Sequence, residues 1–225
     1  MLKDSLPPYQ LPRPNDLSIP NNHEVEQILL FVDNNLSEFT TYYKTIKDSD
    51  RENRISDFLV HHFQVCKIEN DQDYFPYDFR KNPTQEESGK ETDIGVFVLT
   101  RGGKPSPIIE FEAKRFSESS SNEQYVYGDR GGIERFKRGH HSSHLKICGM
   151  FAYIQSRTID EWFNKVNGWL TNQFNTNTDT SIDWLEKEQL LKYTSLSLVE
   201  KYSSNHSRKS LKDTISLWHY FIDLT

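Results

Sequence analysis

The sequence predicts an α/β fold in which helices flank a mixed central β-sheet. Three observations predict it. Apolar residues recur at steps of three and four over residues 25–39 and 55–63, as they do in amphipathic helices. Residues 92–99 and 108–114 are rich in β-branched and aromatic side chains and flank a glycine turn, as in a β-hairpin. Residues 147–154 form a continuous apolar run, which is typical of a central strand covered on both faces.

The length and the net charge of the chain limit the kinds of protein that it can be. Its 225 residues and 26.5 kDa are enough to bury about 70% of the unfolded surface, so folding requires neither disulfides nor a structural metal. The net charge of −6 argues against a polycation that coats nucleic acid. Any anionic partner must therefore be held locally.

Cysteine use and hydropathy predict a cytoplasmic protein. Cys66 and Cys148 lie far apart without paired spacing, which argues against a disulfide framework and against a zinc finger. The longest apolar run is far too short to span a membrane, and the first residues lack an apolar signal core. We therefore expect no membrane partner.

The composition predicts a proline-rich extended arm over residues 1–20 and a single domain over residues 21–225. Five of the nine prolines fall in the arm, where they exclude regular helix. Within the domain, the core is expected at about residues 50–155. Residues 156–225 are expected to add a helix and a hairpin to it.

The first half of the domain is predicted to contain two helices and three strands. The helices begin near Asn22 and Arg51, and the apolar stripe of the second helix, extended one turn back, reaches Glu52. The strands, and the turn of the hairpin, are expected at residues 74–79, 92–99, 101–104 and 108–114.

The second half is predicted to begin with a helix around residues 132–138, followed by the central strand. Thr158 and Glu161 have the spacing of a capping box, ahead of a helix with an aromatic face. A short helix and the two strands of the added hairpin are then expected at residues 184–191, 195–202 and 215–224.

The most informative feature is a set of charged residues on two neighbouring strands. Asp93 lies on one strand, and Glu112 and Lys114 lie two residues apart on the next, so these two side chains project from the same face. Carboxylates and an ammonium set in apolar sequence are costly to desolvate unless a metal or mutual pairing compensates them. We therefore interpret this set as a candidate catalytic site.

A hard divalent cation would compensate these carboxylates. Magnesium takes oxygen ligands and prefers one or two carboxylates together with water and substrate phosphate. Asp93 and Glu112 are the predicted ligands, and Lys114 is predicted to orient a water or to stabilise the charge that develops on phosphorus. These parts suffice to hydrolyse a phosphodiester, with Mg²⁺ as the expected cofactor and Mn²⁺ as an alternative.

This pattern resembles the PD-(D/E)XK nuclease superfamily over roughly residues 50–155. In that superfamily an acidic helix residue precedes a hairpin that carries the Asp and the Glu-x-Lys, and a helix and a further strand follow. The matching residues here are Glu52, Asp93 and Glu112-Ala113-Lys114, whereas Thr92 stands where the family name has Pro. The resemblance implies a restriction-endonuclease-like fold and a metal-dependent nuclease, with DNA as the preferred substrate.

The resemblance has further implications for the site. Glu52 is expected to support the metal site, and the main-chain carbonyl of Ala113 is expected to be a metal ligand. The products are expected to carry a 5′-phosphate. Restriction or antiviral defence, as a homodimer or as a partner subunit of a defence complex, is the biological context that it implies.

A basic stretch follows the predicted catalytic strand. Between residues 130 and 146, five basic residues stand against one acid in an otherwise acidic chain. Phosphate backbones require such a patch, and the superfamily places a helix here that often contributes to its active site. The predicted nucleic-acid-binding residues are Gln124, Arg130, Arg135, Lys137 and Arg138.

Other interpretations stay open. The strand acids and the lysine could form a solvated cross-strand pair, Glu52 could complement its helix dipole, and the basic helix could be a solvated surface. The fold could also be a catalytically silent module that binds nucleic acid or a partner protein. The proline-rich arm and the aromatic helix could instead form a protein-interaction module. Zinc at residues 140–144, which contain three histidines, is disfavoured because no fourth ligand lies nearby.

Overall fold

A computed structural model describes most of the chain, namely residues 22–46, 51–69, 75–83, 91–99, 106–128 and 130–225. The predicted proline-rich arm and the predicted turn at residues 101–104 lie outside the described residues. Among the helices that are described, none is both long enough and apolar enough to cross a membrane.

The described residues form four α-helices and seven β-strands. The helices are α1 (Asn22–Ile46), α2 (Glu52–Glu69), α3 (Gly132–Lys137) and α4 (Ile159–Thr176). The strands are β1 (Tyr77–Lys81), β2 (Ile94–Val98), β3 (Pro107–Phe116), β4 (Ile147–Ile154), β5 (Leu191–Leu196), β6 (Val199–Arg208) and β7 (Asp213–Asp223).

All seven strands belong to one mixed sheet, in the order β1-β2-β3-β4-β7-β6-β5. Strands β3, β4 and β7 run parallel to one another, and the outer pairs on both sides are antiparallel. The predicted α/β class with a mixed sheet is therefore confirmed. The predicted pairing of the second and third strands as an antiparallel hairpin is also confirmed, with Ile94 opposite Phe111.

Helices cover both faces of the sheet, as the apolar run of β4 predicts. On one face, Phe151 and Tyr153 belong to the core cluster that contains the buried residues of α1 and α2. On the other face, Met150 and Ala152 pack with residues of α3 and α4. Successive side chains of β4 thus point into two separate cores, so each position on this strand must be apolar.

The C-terminal region differs from the prediction in two ways. The expected helix at residues 184–191 is a single turn of 3-10 helix, Glu186–Glu188. The expected strand at residues 195–202 is divided by a turn in which Leu198 has a φ of 60°. The C-terminal strands add a hairpin to the sheet as predicted, because β6 and β7 pair antiparallel, β7 lies beside β4, and β5 forms the edge beyond β6.

Candidate active site

The predicted catalytic residues of β2 and β3 come together at one point of the sheet. Lys114 Nζ lies 2.6 Å from Glu112 Oε1 and 3.0 Å from the Ala113 carbonyl oxygen. Asp93, just before β2, accepts a hydrogen bond of 2.7 Å from the Ala113 N–H. The antiparallel register that places Ile94 opposite Phe111 brings Asp93 beside Glu112. The Lys114 ammonium therefore contacts the Glu112 carboxylate and the Ala113 carbonyl, and the Asp93 carboxylate lies on the N–H of the same residue.

Glu52, in the first turn of α2, completes this group. Its Oε2 accepts a hydrogen bond of 2.7 Å from the Arg115 N–H, and its Oε1 lies 3.9 Å from Lys114 Nζ. The contact to a main-chain donor of β3 fixes the first turn of α2 against that strand. The structure thus brings Glu52 to the cluster, as the sequence predicts.

Burial and the repulsion of neighbouring carboxylates raise the pKa values of Asp93 and Glu52. Burial raises the pKa of Asp93 to about 6, and the charge of Glu112 adds to the rise while Lys114 opposes it. Burial also raises the pKa of Glu52, again against the influence of Lys114. For Lys114, burial alone would lower the pKa, but the three carboxylates outweigh it and raise the pKa. The neighbouring cations therefore do not fully offset the cost of burying the ionised Asp93 and Glu52.

These donors fit a hard divalent cation. Asp93, Glu112 and the Ala113 carbonyl offer only oxygen atoms, which are the ligands that magnesium takes. The raised pKa of Asp93 shows that its ionised form lacks full compensation in the protein alone. A cation bound between these oxygens would supply that compensation.

A polar cleft of about 280 Å³ opens beside Lys114 and Glu52. Two residues predicted to bind nucleic acid, Gln124 and Arg130, line it. Its wall also contains residues that the sequence did not single out, namely Arg51, Arg115, Ser120, Ser121, Asn122 and Tyr125. Several cationic side chains around one small cleft form a surface suited to phosphate.

The cleft residues from the segment after β3 are held by a hydrogen-bonded loop. Asn122 Oδ1 accepts from the Ser117 N–H at 3.1 Å and from the Ser120 hydroxyl at 2.6 Å. Asn122 Nδ2 in turn donates to the Ser117 carbonyl at 2.8 Å. A serine-rich segment of this kind is ordered by side chains that bond to nearby backbone groups.

Arg51 and Arg115 were missed although each is next to a predicted catalytic residue. Arg51 precedes Glu52, and Arg115 follows Lys114. Sequence periodicity gave no sign of them, because Arg115 alternates with Lys114 along the strand and should point to the other face. Adjacency to the catalytic residues at an element end was the available signal.

Helix α3 and its C-cap place Arg135, Lys137 and Arg138 in three different environments. Arg135 reaches the catalytic cluster, where its Nη1 lies 3.2 Å from Glu112 Oε1. Arg138 pairs instead with Glu134 and Asp179, at 2.7 and 2.6 Å, so the structure does not bring it to the cluster.

The prediction that Lys137 contacts nucleic acid is wrong. Its side chain is fully buried, and its Nζ lies 2.6 Å from Glu188 Oε2. Residues two apart on a helix face different directions. When α3 turns Arg135 toward Glu112, it must therefore turn Lys137 into the core.

Gly132 lets α3 approach the catalytic strand closely. A Cβ atom at this position would lie 2.4 Å from Met150 Cε and 3.5 Å from Glu112 Cγ. A larger residue would require the end of the Met150 side chain to move and would press on the Tyr125 carbonyl oxygen at 3.2 Å. The glycine thus serves helix packing next to the site.

A second, buried polar network lies behind the cleft. The Tyr125 hydroxyl is 2.8 Å from His219 Nδ1, and His219 Nε2 is 2.7 Å from the Ser204 hydroxyl. Ser204 continues the chain to His206 Nε2 at 2.7 Å. His206 Nδ1 then lies 3.5 Å from Glu188, the partner of Lys137.

The buried histidines fix the direction of this chain. Burial lowers the pKa of His206 and lowers that of His219 well below its usual value, so both rings are neutral. Each neutral ring donates through one nitrogen and accepts through the other. Hydrogen bonds therefore keep one direction all along the chain between Tyr125 and His206, and they anchor the wall of the cleft.

Comparison of the chain with protein-family models, with curated proteins and with solved structures gives no match. Function must therefore be inferred from the chemistry of the cluster. Asp93, Glu112 and the Ala113 carbonyl can hold a cation, and Lys114 can donate hydrogen bonds beside it. An adjoining cationic cleft can hold a phosphate chain.

Proposed function

We propose that this protein is a magnesium-dependent nuclease that hydrolyses phosphodiester bonds, with DNA as its preferred substrate. The observation that carries the proposal is the convergence of three side chains: Asp93 and Lys114 hydrogen-bond to the backbone of Ala113, and Lys114 also bonds to Glu112. Order along the chain supports it, because α2, β1, β2, β3, α3 and β4 follow one another as the resemblance to PD-(D/E)XK nucleases implies.

The cation would be held by the Asp93 and Glu112 carboxylates and the Ala113 carbonyl. When bound there, magnesium supplies Lewis-acid chemistry that withdraws negative charge from the attacked phosphate. Glu52 orients the adjoining backbone through the Arg115 N–H. Mn²⁺ has the same preference for oxygen ligands and should replace Mg²⁺.

Lys114 acts as a donor of hydrogen bonds. Its raised pKa keeps the ammonium protonated at neutral pH, so it does not remove a proton from water. It instead holds the attacking water in place and stabilises the charge that develops on phosphorus. Its two bonds to Glu112 and Ala113 fix the ammonium for that task.

The cationic cleft positions the nucleic-acid chain next to this centre. Arg130 and Gln124 line the cleft, and Arg135 approaches the cluster from α3. Guanidinium groups bind phosphate oxygens in a forked geometry that fixes the register of the backbone. Base edges are not needed for such contacts.

The test is cleavage of four substrates by the purified full-length protein, each with and without Mg²⁺. Plasmid, linear duplex, single-stranded DNA and RNA distinguish DNA from RNA and double-stranded from single-stranded substrates. We expect Mg²⁺-dependent cleavage of DNA that is lost in Lys114→Ala and retained in Lys187→Ala, a matched change of an exposed lysine. If none of the four substrates is cut although the protein binds DNA in Ca²⁺, the fold is a catalytically silent binding module.

A further inference from the structure

A second cluster of metal-binding side chains lies between α1 and α2. Glu38 of α1 and His62 and Cys66 of α2 each offer one ligand atom, and these atoms lie within 4.8 Å of one another. Glu52 and His62 are separated by ten residues of one helix, which corresponds to about 15 Å along its axis. The cluster is therefore distinct from the catalytic site.

Helix geometry explains why two of these side chains meet. His62 and Cys66 are four residues apart, so they lie on the same face of α2, one turn from each other. Both are buried, at 6% and 3% exposure, whereas Glu38 is exposed. The cluster thus has a buried nitrogen and sulfur and opens to solvent on the side of the carboxylate.

A hydrogen bond fixes which ring nitrogen of His62 carries the proton, as it does in metal-binding histidines. His62 Nε2 lies 2.9 Å from the Asn35 carbonyl. Because a carbonyl only accepts, Nε2 carries the proton and Nδ1 keeps its lone pair. A histidine that binds a metal typically donates its other ring N–H to a carboxylate or a backbone carbonyl.

The ligand atoms of the cluster lie close enough for one tetrahedral metal once a side chain rotates. Cys66 Sγ lies 3.9 Å from His62 Nδ1 and 3.4 Å from Nε2. Zinc bonds to sulfur and nitrogen place these two ligand atoms about 3.5 Å apart. Because Sγ is nearer to Nε2 than to Nδ1, metal binding at Nδ1 also requires the Cys66 side chain to rotate toward that nitrogen, with Glu38 closing in from within 4.8 Å.

We propose that Glu38, His62 and Cys66 form a site for a zinc-class transition metal that links α1 to α2, with water in the fourth position. A nitrogen, a sulfur and an oxygen donor select zinc over magnesium, which requires oxygen ligands. The site is independent of the proposed nuclease centre and uses none of its residues.

The test uses metal-free, full-length protein titrated with Zn²⁺ and, separately, with Co²⁺. We expect one Zn²⁺ per chain, unaffected by excess Mg²⁺, and a near-ultraviolet charge-transfer absorption of Co²⁺ that reports a thiolate ligand. Glu38→Gln changes an exposed residue, so it should fold normally and weaken Zn²⁺ binding about tenfold or more. Cys66→Ser should remove the charge-transfer absorption.

Three control variants test whether Zn²⁺ binds at another site of the protein. Glu26→Gln is a matched change at an exposed position of α1, Cys148→Ala removes the other thiol, and Asp93→Asn alters the catalytic cluster. All three should retain wild-type Zn²⁺ affinity. The proposal is overturned if the wild type binds no Zn²⁺ at micromolar concentration. It is also overturned if Glu38→Gln and Cys66→Ser bind Zn²⁺ as the wild type does, because the His62–Cys66 pair is then only a buried thiol–imidazole contact.

Discussion

The protein contains two lysine–glutamate pairs with the same separation and opposite surroundings. Lys114 and Glu112 are 2.6 Å apart, as are Lys137 and Glu188. The Lys137 and Glu188 side chains are 0% and 1% exposed, and we call them the closed pair. We call Lys114 and Glu112 the open pair, because Lys114 remains 14% exposed at the edge of the cleft. Contact distance alone therefore does not distinguish a structural ion pair from a reactive one.

The two pairs differ in how completely their charges are satisfied. Glu188 also accepts from the Ser207 N–H at 2.8 Å. Burial acts to raise its pKa, but His206 and Lys137 outweigh burial and lower the pKa to about 2. Around Glu112, by contrast, the additional neighbours include Asp93, whose pKa is raised to about 6. The charges of the closed pair are thus offset within the protein, whereas the open pair adjoins a buried carboxylate whose ionised form is not fully offset.

The largest expected effect is on catalysis at the open pair. Lys114→Ala and Glu112→Gln should each lower the cleavage rate by about 10³-fold or more, because they remove the fixed donor and a metal ligand. Single-turnover rates with the purified variants measure this. Wild-type turnover in either one would remove that residue from the catalytic site.

The next largest effect is on stability at the closed pair. Glu188→Ala leaves Lys137 buried without its charged partner and should lower the free energy of unfolding by about 3–5 kcal/mol. Urea unfolding measures the loss, and the surviving folded protein should cleave at the wild-type rate. Abolished cleavage in folded Glu188→Ala would mean that the two pairs are not separate in function.

Asp93→Asn should stabilise the metal-free protein. The folded-state pKa of Asp93 is raised above its usual value, so the ionised carboxylate costs stability fully above about pH 6 and not at all below about pH 4. The variant should gain about 1–3 kcal/mol at pH 7.5, and the gain should vanish as the pH falls to 4. Urea unfolding at these two values tests the sign, and destabilisation at pH 7.5 would contradict it.

The smallest expected effect is on substrate affinity. Arg135→Ala should weaken DNA binding in Ca²⁺ severalfold and reduce the salt dependence by about one phosphate contact. Arg138→Ala, a matched change on the same helix turn, should leave both unchanged because Arg138 is held by Glu134 and Asp179. Equal losses in the two variants would make α3 a general basic surface.

Local patterns in the sequence predicted much of this architecture. The Glu-x-Lys spacing on an apolar strand places two side chains on one face, which is how Glu112 and Lys114 meet. The Thr158 capping box is confirmed, with the Glu161 carboxylate 2.9 Å from the Thr158 N–H. Such features depend on neighbours in sequence, so they can be read without a structure.

What the sequence could not predict depends on contacts between distant segments. The side of α3 that faces the sheet decides that Arg135 approaches Glu112 and that Lys137 is buried against Glu188, and spacing cannot choose between them. The turn between β5 and β6 has no glycine or asparagine to mark it. Leu198 adopts a positive φ there, and the preceding Ser197 carbonyl accepts a bond of 2.7 Å from Ser37 of α1.

The most direct test of a metal centre at the open pair is the change in thermal stability when metal is added. Wild-type Tm should rise by about 5–10 °C at a Mg²⁺ or Mn²⁺ concentration near 100 times the Kd. In Asp93→Asn and Glu112→Gln the rise should fall below about 2 °C, while Glu26→Gln should keep it. No rise in the wild type, or an equal rise in Glu112→Gln, would contradict a metal centre at Asp93 and Glu112.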